Sequence, residues 1–245
     1  MSSLELIGVE GLPEINRGDD LAGLIGSRSN LTKGDLVVVA QKVVSKAEGR
    51  TRKLAEVIPS EQAIRLAPHL VAAPDPRFVQ VVLDESVRVL RTERVLITQT
   101  RHGYVCANSG VDHSNIPGSD MVTLLPVDPD ASAERLRTRL REVTGAEVGV
   151  IVSDTFGRPW RLGIVNVALG VAGMPAVIDF RGRVDDAGKE LHATVVALAD
   201  EVAAAAGLVM GKTLRTPVVI VRGLSVHGTG RGQDLLRPVA DDLFR

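Results

Sequence analysis

The stretch VGVIVSDTFGRPWRLG, residues 148–163, places Asp154 and Thr155 directly after a run of Val and Ile, with Arg158 and Arg161 close behind. A carboxylate and a hydroxyl at a strand end are hard oxygen donors of the kind that hold Mg²⁺ or Mn²⁺ beside phosphates. The arginines suit an anionic substrate or a phosphoryl group in transfer. The structural alternative is a helix N-cap by Asp154 or Thr155. In CANSGVDHSNI, residues 106–116, Asp112 again offers a hard oxygen and Asn115 an amide able to bond a phosphate or a base edge. Asn, Ser and Asp are also natural turn formers, so a plain turn is the competing reading.

AQKVVSKAEG, residues 40–49, supplies Gln41, Lys42, Ser45, Lys46 and Glu48 immediately after an apolar strand. Lysines beyond a strand end place ammonium groups on phosphates, and they also simply solvate an edge. DFRGRVDDAGKEL, residues 179–191, is dense in charge but reads as readily as a loop. GLVMGKT, residues 207–213, ends like a P-loop. The Walker pattern, however, needs four residues between its glycines and must open a helix rather than close one. No His/Cys cluster has zinc spacing, and Cys106 lacks any motif context for nucleophilic catalysis.

The elements that must position these groups alternate in type. Strands are expected over Leu4–Val9, Leu36–Ala40, Val95–Thr98, Tyr104–Ala107, Met121–Leu125, Val148–Val152, Pro175–Phe180 and Pro217–Val221. Helices are expected over Asp19–Ile25, within residues 59–90 (Phe78, Val82 and Val89 at helical spacing), over Asp130–Val143 and over His192–Met210, the last stopped by Gly211. The order lacks regular βαβ spacing. The expectation is therefore an α+β fold of mixed sheets with packed helices, neither Rossmann nor P-loop.

The chain has 245 residues, 44% hydrophobic, and a net charge of −1. That balance argues against a nucleic-acid binder. A single cysteine rules out an intrachain disulfide framework. No apolar run approaches the roughly 18 residues of a membrane span, and no signal peptide is evident, so a cytoplasmic protein is expected. With 2% aromatics, the core must come from Val, Leu, Ile and Ala.

Taken together and in order, GLPEI, VVVAQKVVSKAEGR, VCANSGVDHSNI, VSDTFGRPWRLG, DFRGRVDDAGKEL, ADEVAAAAGLVMGK and TPVVIVRG resemble the coenzyme F420-0:L-glutamate ligase family over about residues 6–242. The resemblance implies a two-lobed ligase fold, with residues 1–245 as one module. It implies GTP as co-substrate, two divalent ions (Mg²⁺ or Mn²⁺) and a homodimer. Coenzyme F420-0 and L-glutamate would be the small-molecule substrates. Position by position it implies GTP contacts from Leu12, Pro13, Glu14, Ile15, Gln41, Lys46 and Asn115, and metal ligation by Asp112, Asp154 and Thr155. Gln41 departs from the family, where that position is often Ser. Catalytic roles for Arg158 and Arg161 rest on residue type. A metal-dependent phosphohydrolase and a non-catalytic GTP-binding module remain the alternatives. Actinobacterial forms continue into a flavin-binding domain, so the resemblance implies either a stand-alone ligase or the N-terminal ligase module of such a fusion.

Overall fold

A computed structural model describes residues 3–72, 74–113, 120–211 and 214–242. Asn115, Lys212 and Thr213 lie outside the described residues.

The strands are β1 (Glu5–Gly8), β2 (Leu36–Ala40), β3 (Thr51–Lys53), β4 (Ser86–Arg91), β5 (Ile97–Thr100), β6 (Val105–Ala107), β7 (Met121–Thr123), β8 (Gly149–Arg158), β9 (Arg161–Ala172), β10 (Ile178–Asp179), β11 (Val195–Val196) and β12 (Val218–Arg222). The helices are α1 (Leu21–Gly26), α2 (Gln41–Ala47), α3 (Glu61–Leu66), α4 (Pro76–Asp84), α5 (Pro129–Thr144) and α6 (Leu198–Met210). The architecture is α+β, as the mixed order of elements implies.

A five-stranded sheet in the order β1-β12-β2-β8-β9 forms the centre. Within it β2 and β8 pair in parallel; the other pairs are antiparallel. Both faces of this sheet are covered, which is why its inner strands read as unbroken Val/Ile/Leu runs. Val37, Val39, Val150, Val152, Val218 and Ile220 pack on one face against α1 and α5, through Ile25, Leu136 and Leu140. Leu36, Val38, Ile151, Val219 and Val221 pack on the other face against α6, through Ala199, Val202, Ala203 and Ala206. The period of two along each strand assigns each residue to its layer. The alanines of α6 let the helix lie close to the sheet without aromatic side chains.

A second apolar cluster, drawn from residues between Leu54 and Leu124, surrounds Phe78, Val79, Val82, Leu96 and Val122. It belongs to α3, α4, the small sheets β4-β5-β6 and β3-β7, and the segments between them. Tyr104, Leu125 and Leu169 join it to the central sheet, and the Tyr104 hydroxyl donates to the Leu169 carbonyl.

Helix starts follow their capping chemistry. Asp20, Ser60, Asp75 and Asp128 each accept a backbone N–H at the N-terminus of α1, α3, α4 and α5. Gly145 ends α5 at φ 74°, a left-handed position that suits glycine.

Several expected boundaries are corrected. The long C-terminal helix begins at Leu198, not His192, because Val195–Val196 form β11 and pair with β10. The expected strand at Pro175–Phe180 shrinks to Ile178–Asp179. Val89 lies in β4, since Ser86–Arg91 pairs with β5 after α4 has ended. The largest correction is at β8, which does not stop at Val152. It runs on through Ser153, Asp154 and Thr155 to Arg158 and forms a long hairpin with β9, so neither Asp154 nor Thr155 caps a helix. The turn signal that ends the strand lies at Pro159-Trp160, between Arg158 and its cross-strand partner Arg161.

Candidate functional site

The carboxyl ends of β2 and β8, the parallel pair, open into a cavity of about 960 Å³. In sheets of this kind the crevice beyond the carboxyl ends of parallel strands is where ligands bind.

One wall comes from the loop after β1. Leu12, Pro13, Glu14 and Ile15 all line the cavity. Ile15 is buried in the central core, which anchors the loop while Glu14 stays exposed. The second wall is α2, which starts without a linker where β2 ends. Lys42 and Lys46 are four residues apart and so share a helix face; both line the cavity. Lys42 Nζ bonds Asp112 Oδ2 at 2.8 Å, and Lys46 bonds the Glu14 carboxylate. Lys42 and Lys46 are only 18% and 10% exposed at the side chain.

Asp112 is brought in by the segment between β6 and β7. Asn108 and Ser109 take left-handed φ angles of 52° and 53°. The Ser109 hydroxyl is locked in place by Thr98 at 2.7 Å and Ser86 at 2.8 Å. Asp112 then exchanges backbone hydrogen bonds with Thr123, at 3.1 and 2.9 Å. The stretch is therefore a turn, as its composition suggests, and the turn aims a carboxylate at the cavity.

The floor is β8. Ser153, Asp154 and Thr155 line the cavity from the strand where its buried half gives way to its exposed half. Asp154 lies close enough to Cys106 for its charge to act on the thiol. Burial, with Asp154 adding to it, pushes Cys106 up to about 12, so this thiol stays protonated and inert at neutral pH. Asn166 of β9 pairs with Thr155, and its amide reaches Met210 Sδ at 3.4 Å. Gly207 of α6 and Arg215 close the far side.

The residues singled out in the sequence are thus sorted by geometry. Leu12, Pro13, Glu14, Ile15, Lys46, Asp112, Asp154 and Thr155, from separate parts of the chain, meet at one cavity. Gln41 is 2% exposed, its side chain accepts the Ser45 hydroxyl at 2.8 Å, and it does not line the cavity. Arg158 and Arg161 sit at the exposed tip of the β8–β9 hairpin, away from the cavity of their own chain. Asn115 lies outside the described residues. Residue types alone left Ser153, Asn166 and Arg215 without a role. Arg215 is held at φ 55°, a strain that sequence does not reveal.

Among the described residues no three His, Cys, Asp or Glu side chains form a metal-binding group. Magnesium commonly takes only one or two carboxylates and completes its shell with phosphates and water. Asp112, Asp154 and Thr155 suit that kind of donor set, and the Lys42 ammonium on Asp112 shows that the carboxylate already receives a cation.

The protein is α+β, with a cavity lined by both ammonium groups and carboxylates. A family model described as F420-0:Gamma-glutamyl ligase matches residues 11–223, and the chain belongs to this family. It is 46% identical to the coenzyme F420:L-glutamate ligase of Archaeoglobus fulgidus, over 99% of this chain and 96% of that one. It is 45% identical to the enzymes of the same name from Methanothermobacter thermautotrophicus, over 99% of each chain, and Methanopyrus kandleri, over 100% of each.

Proposed function

We propose that this chain is a GTP-dependent amide ligase that adds L-glutamate to the phospholactate carboxylate of coenzyme F420-0. The observation that carries the reading is the meeting of Asp112, from the segment between β6 and β7, with Asp154 and Thr155, from the central sheet, beside Lys42 and Lys46 at one cavity. The full-length relatives bear the name of a glutamate ligase acting on this coenzyme. Residues 1–245 act as one ligase module in this reading.

A carboxylate does not react with an amine in water, so it must first be activated. A carboxylate oxygen of the acceptor attacks the γ-phosphorus of GTP, the bond to the GDP oxygen breaks, and an acyl phosphate forms. The glutamate amine then attacks the acyl carbon, loses a proton and expels inorganic phosphate. Lys46 and Lys42 bind the phosphates, and the Leu12–Ile15 loop packs against the nucleotide. Asp112, Asp154 and Thr155 would hold Mg²⁺ or Mn²⁺, which screens the repulsion between an anionic donor and an anionic acceptor. Asn115 is assigned a contact to the nucleotide.

Arg158 and Arg161 belong to this chemistry only in an assembly. The hairpin that carries them exposes Trp160 (82%) and Leu162 (99%), an apolar surface that a second copy of the chain would cover. A homodimer built on this hairpin would bring the arginines to the incoming carboxylates. No helix among the described residues is long and apolar enough to cross a membrane, and use of GTP agrees with a cytoplasmic enzyme.

Mass spectrometry of products after incubation with GTP, Mg²⁺ or Mn²⁺, L-glutamate and coenzyme F420-0 tests the reading. The expected result is a coenzyme heavier by one or more glutamyl residues, with GDP and phosphate released. Phosphate release that ignores glutamate would make the protein a phosphohydrolase, and GTP binding without turnover would make it a binding module. Equal efficiency with ATP would remove the guanine-specific contact.

A further inference from the structure

Ser153 is the residue of β8 that precedes Asp154, and it is 1% exposed. Its Oγ has no hydrogen-bond partner among the described residues. Two other buried side-chain atoms share that condition, Thr100 Oγ1 and His102 Nδ1, but neither residue lines the cavity, whereas Ser153 does. Buried hydroxyls almost always find a partner, because leaving one unpaired costs free energy. An unpaired hydroxyl in a cavity wall is matched by whatever fills the cavity.

The surroundings narrow the partner. Ile151, two residues earlier on the strand, packs with the α6 layer, so the period of two turns Ser153 toward the same side. Gly207 and Met210 of α6 line the cavity there. Across the neighbouring strands the row continues with Ala40, the Cα partner of Ser153, and with Pro217, whose carbonyl accepts the Ala40 N–H at 2.8 Å. Methyl groups flank the serine on both sides, Ala40 of β2 and Ala168 of β9, with Pro217 beyond Ala40, so its hydroxyl is the polar side-chain group of this row. Small residues let a ligand approach the strand ends closely. A register shift between Val152 and Ser153, where β9 carries an extra residue, marks the point at which the strand leaves the buried core and enters the site.

We infer that Ser153 is a further ligand-binding residue, and that its hydroxyl donates to a phosphoryl oxygen of the bound substrate. The lysines of α2 and the hard oxygens of Asp154 and Thr155 lie on the same cavity, and an anionic oxygen held there is the acceptor that a lone hydroxyl at this floor would meet. The inference rests on the reading of the cavity as a site for a phosphorylated substrate. That oxygen comes either from the nucleotide or from the phosphodiester of the coenzyme's tail.

The test is calorimetric titration of GDP with Mg²⁺, and separately of coenzyme F420-0, into the full chain and into Ser153→Ala, with the melting temperature of each ligand-free protein. Because the hydroxyl has no partner to lose, the variant should melt no lower than the parent. Its affinity for one ligand should fall about ten- to a hundredfold, the effect of losing a hydrogen bond to a charged group. A loss confined to GDP assigns the nucleotide phosphates; a loss confined to the coenzyme assigns its phosphodiester. Unchanged affinity for both, or a lowered melting temperature accompanying the losses, overturns the inference. A parent protein that binds neither ligand overturns instead the reading of the cavity on which it rests.

Discussion

At the scale of single residues the proposed chemistry rests most on Asp154 and Lys46, both of which line the cavity. Asp154 is on the half of β8 that has left the core, so Asp154→Asn should leave the melting temperature of the ligand-free protein nearly unchanged. Turnover should fall more than about a hundredfold, since the amide keeps the shape and loses the charge that binds a hard cation. Near-normal activity at low metal would remove Asp154 from the site. For Lys46→Met the expected loss of GDP affinity is about ten- to a hundredfold. The family resemblance assigns a GTP contact to Lys46 and none to Lys42, which on that ground alone would be the more tolerant position. The cavity changes that expectation, because both ammonium groups line it. Lys42→Met should therefore weaken GDP as well, by about tenfold; titration of both variants in parallel decides between a shared role and a lone one for Lys46.

Among the elements, the β8–β9 hairpin and the junction of β9 with α5 make opposite demands. At the junction there is no room. A Cβ on Gly170 would lie 2.0 Å from the Pro129 carbonyl oxygen, backbone against backbone. Asp130 Oδ1 ties the same region together by accepting the N–H groups of Val171 at 2.9 Å and Gly232 at 2.6 Å. Gly170→Ala should destabilise the fold by at least about 2 kcal/mol, read from denaturant unfolding, because no flexible side chain can yield. The hairpin is the reverse case, exposed over its outer half. Replacing Leu162 by Glu should leave each folded chain intact and shift the population toward monomer in sedimentation at fixed concentration. A mass unaffected by the change would mean that the hairpin joins no second copy.

For the whole molecule, one ion pair links distant parts of the chain at the end of the sheet opposite the cavity. Arg222 of β12 reaches Asp35, just before β2, at 2.8 and 2.7 Å, and the Thr32 N–H adds a third bond to the carboxylate at 2.8 Å. Asp35 is 1% exposed. Burial alone would raise its carboxyl, but the bonds from Arg222 and Thr32 outweigh it and hold the group below its ordinary value of 3.8. A carboxyl lowered in this way stabilises the fold at all pH above the unfolded value. That contribution is lost as pH falls through the lower, folded value. Arg222→Leu leaves the carboxylate buried without its counter-ion. The expected cost is about 2–3 kcal/mol at neutral pH, with acid unfolding beginning at higher pH than in the parent. A melting temperature within a degree of the parent would show that Thr32 alone suffices.

The α+β class, the buried strands β2 and β12, the Ala-rich α6 and the capped α5 follow from the sequence, because local periodicity and caps decide which face of each element is apolar. Family membership was likewise readable, since the motifs keep their order along the chain. The extent of β8 was not. Ser153-Asp154-Thr155 has the polarity of a turn, and only pairing with β9 holds it extended. The site residues were nameable one by one, but nothing local says that Asp112, displayed by a left-handed turn after β6, meets Lys42 from another part of the chain. Nor does residue type reveal that Gln41 turns inward to Ser45, that Arg158 and Arg161 stand at an exposed tip, or that the Ser153 hydroxyl lacks a partner. Those are properties of which strand lies beside which, and long-range packing of the helices and small sheets against the central sheet decides them.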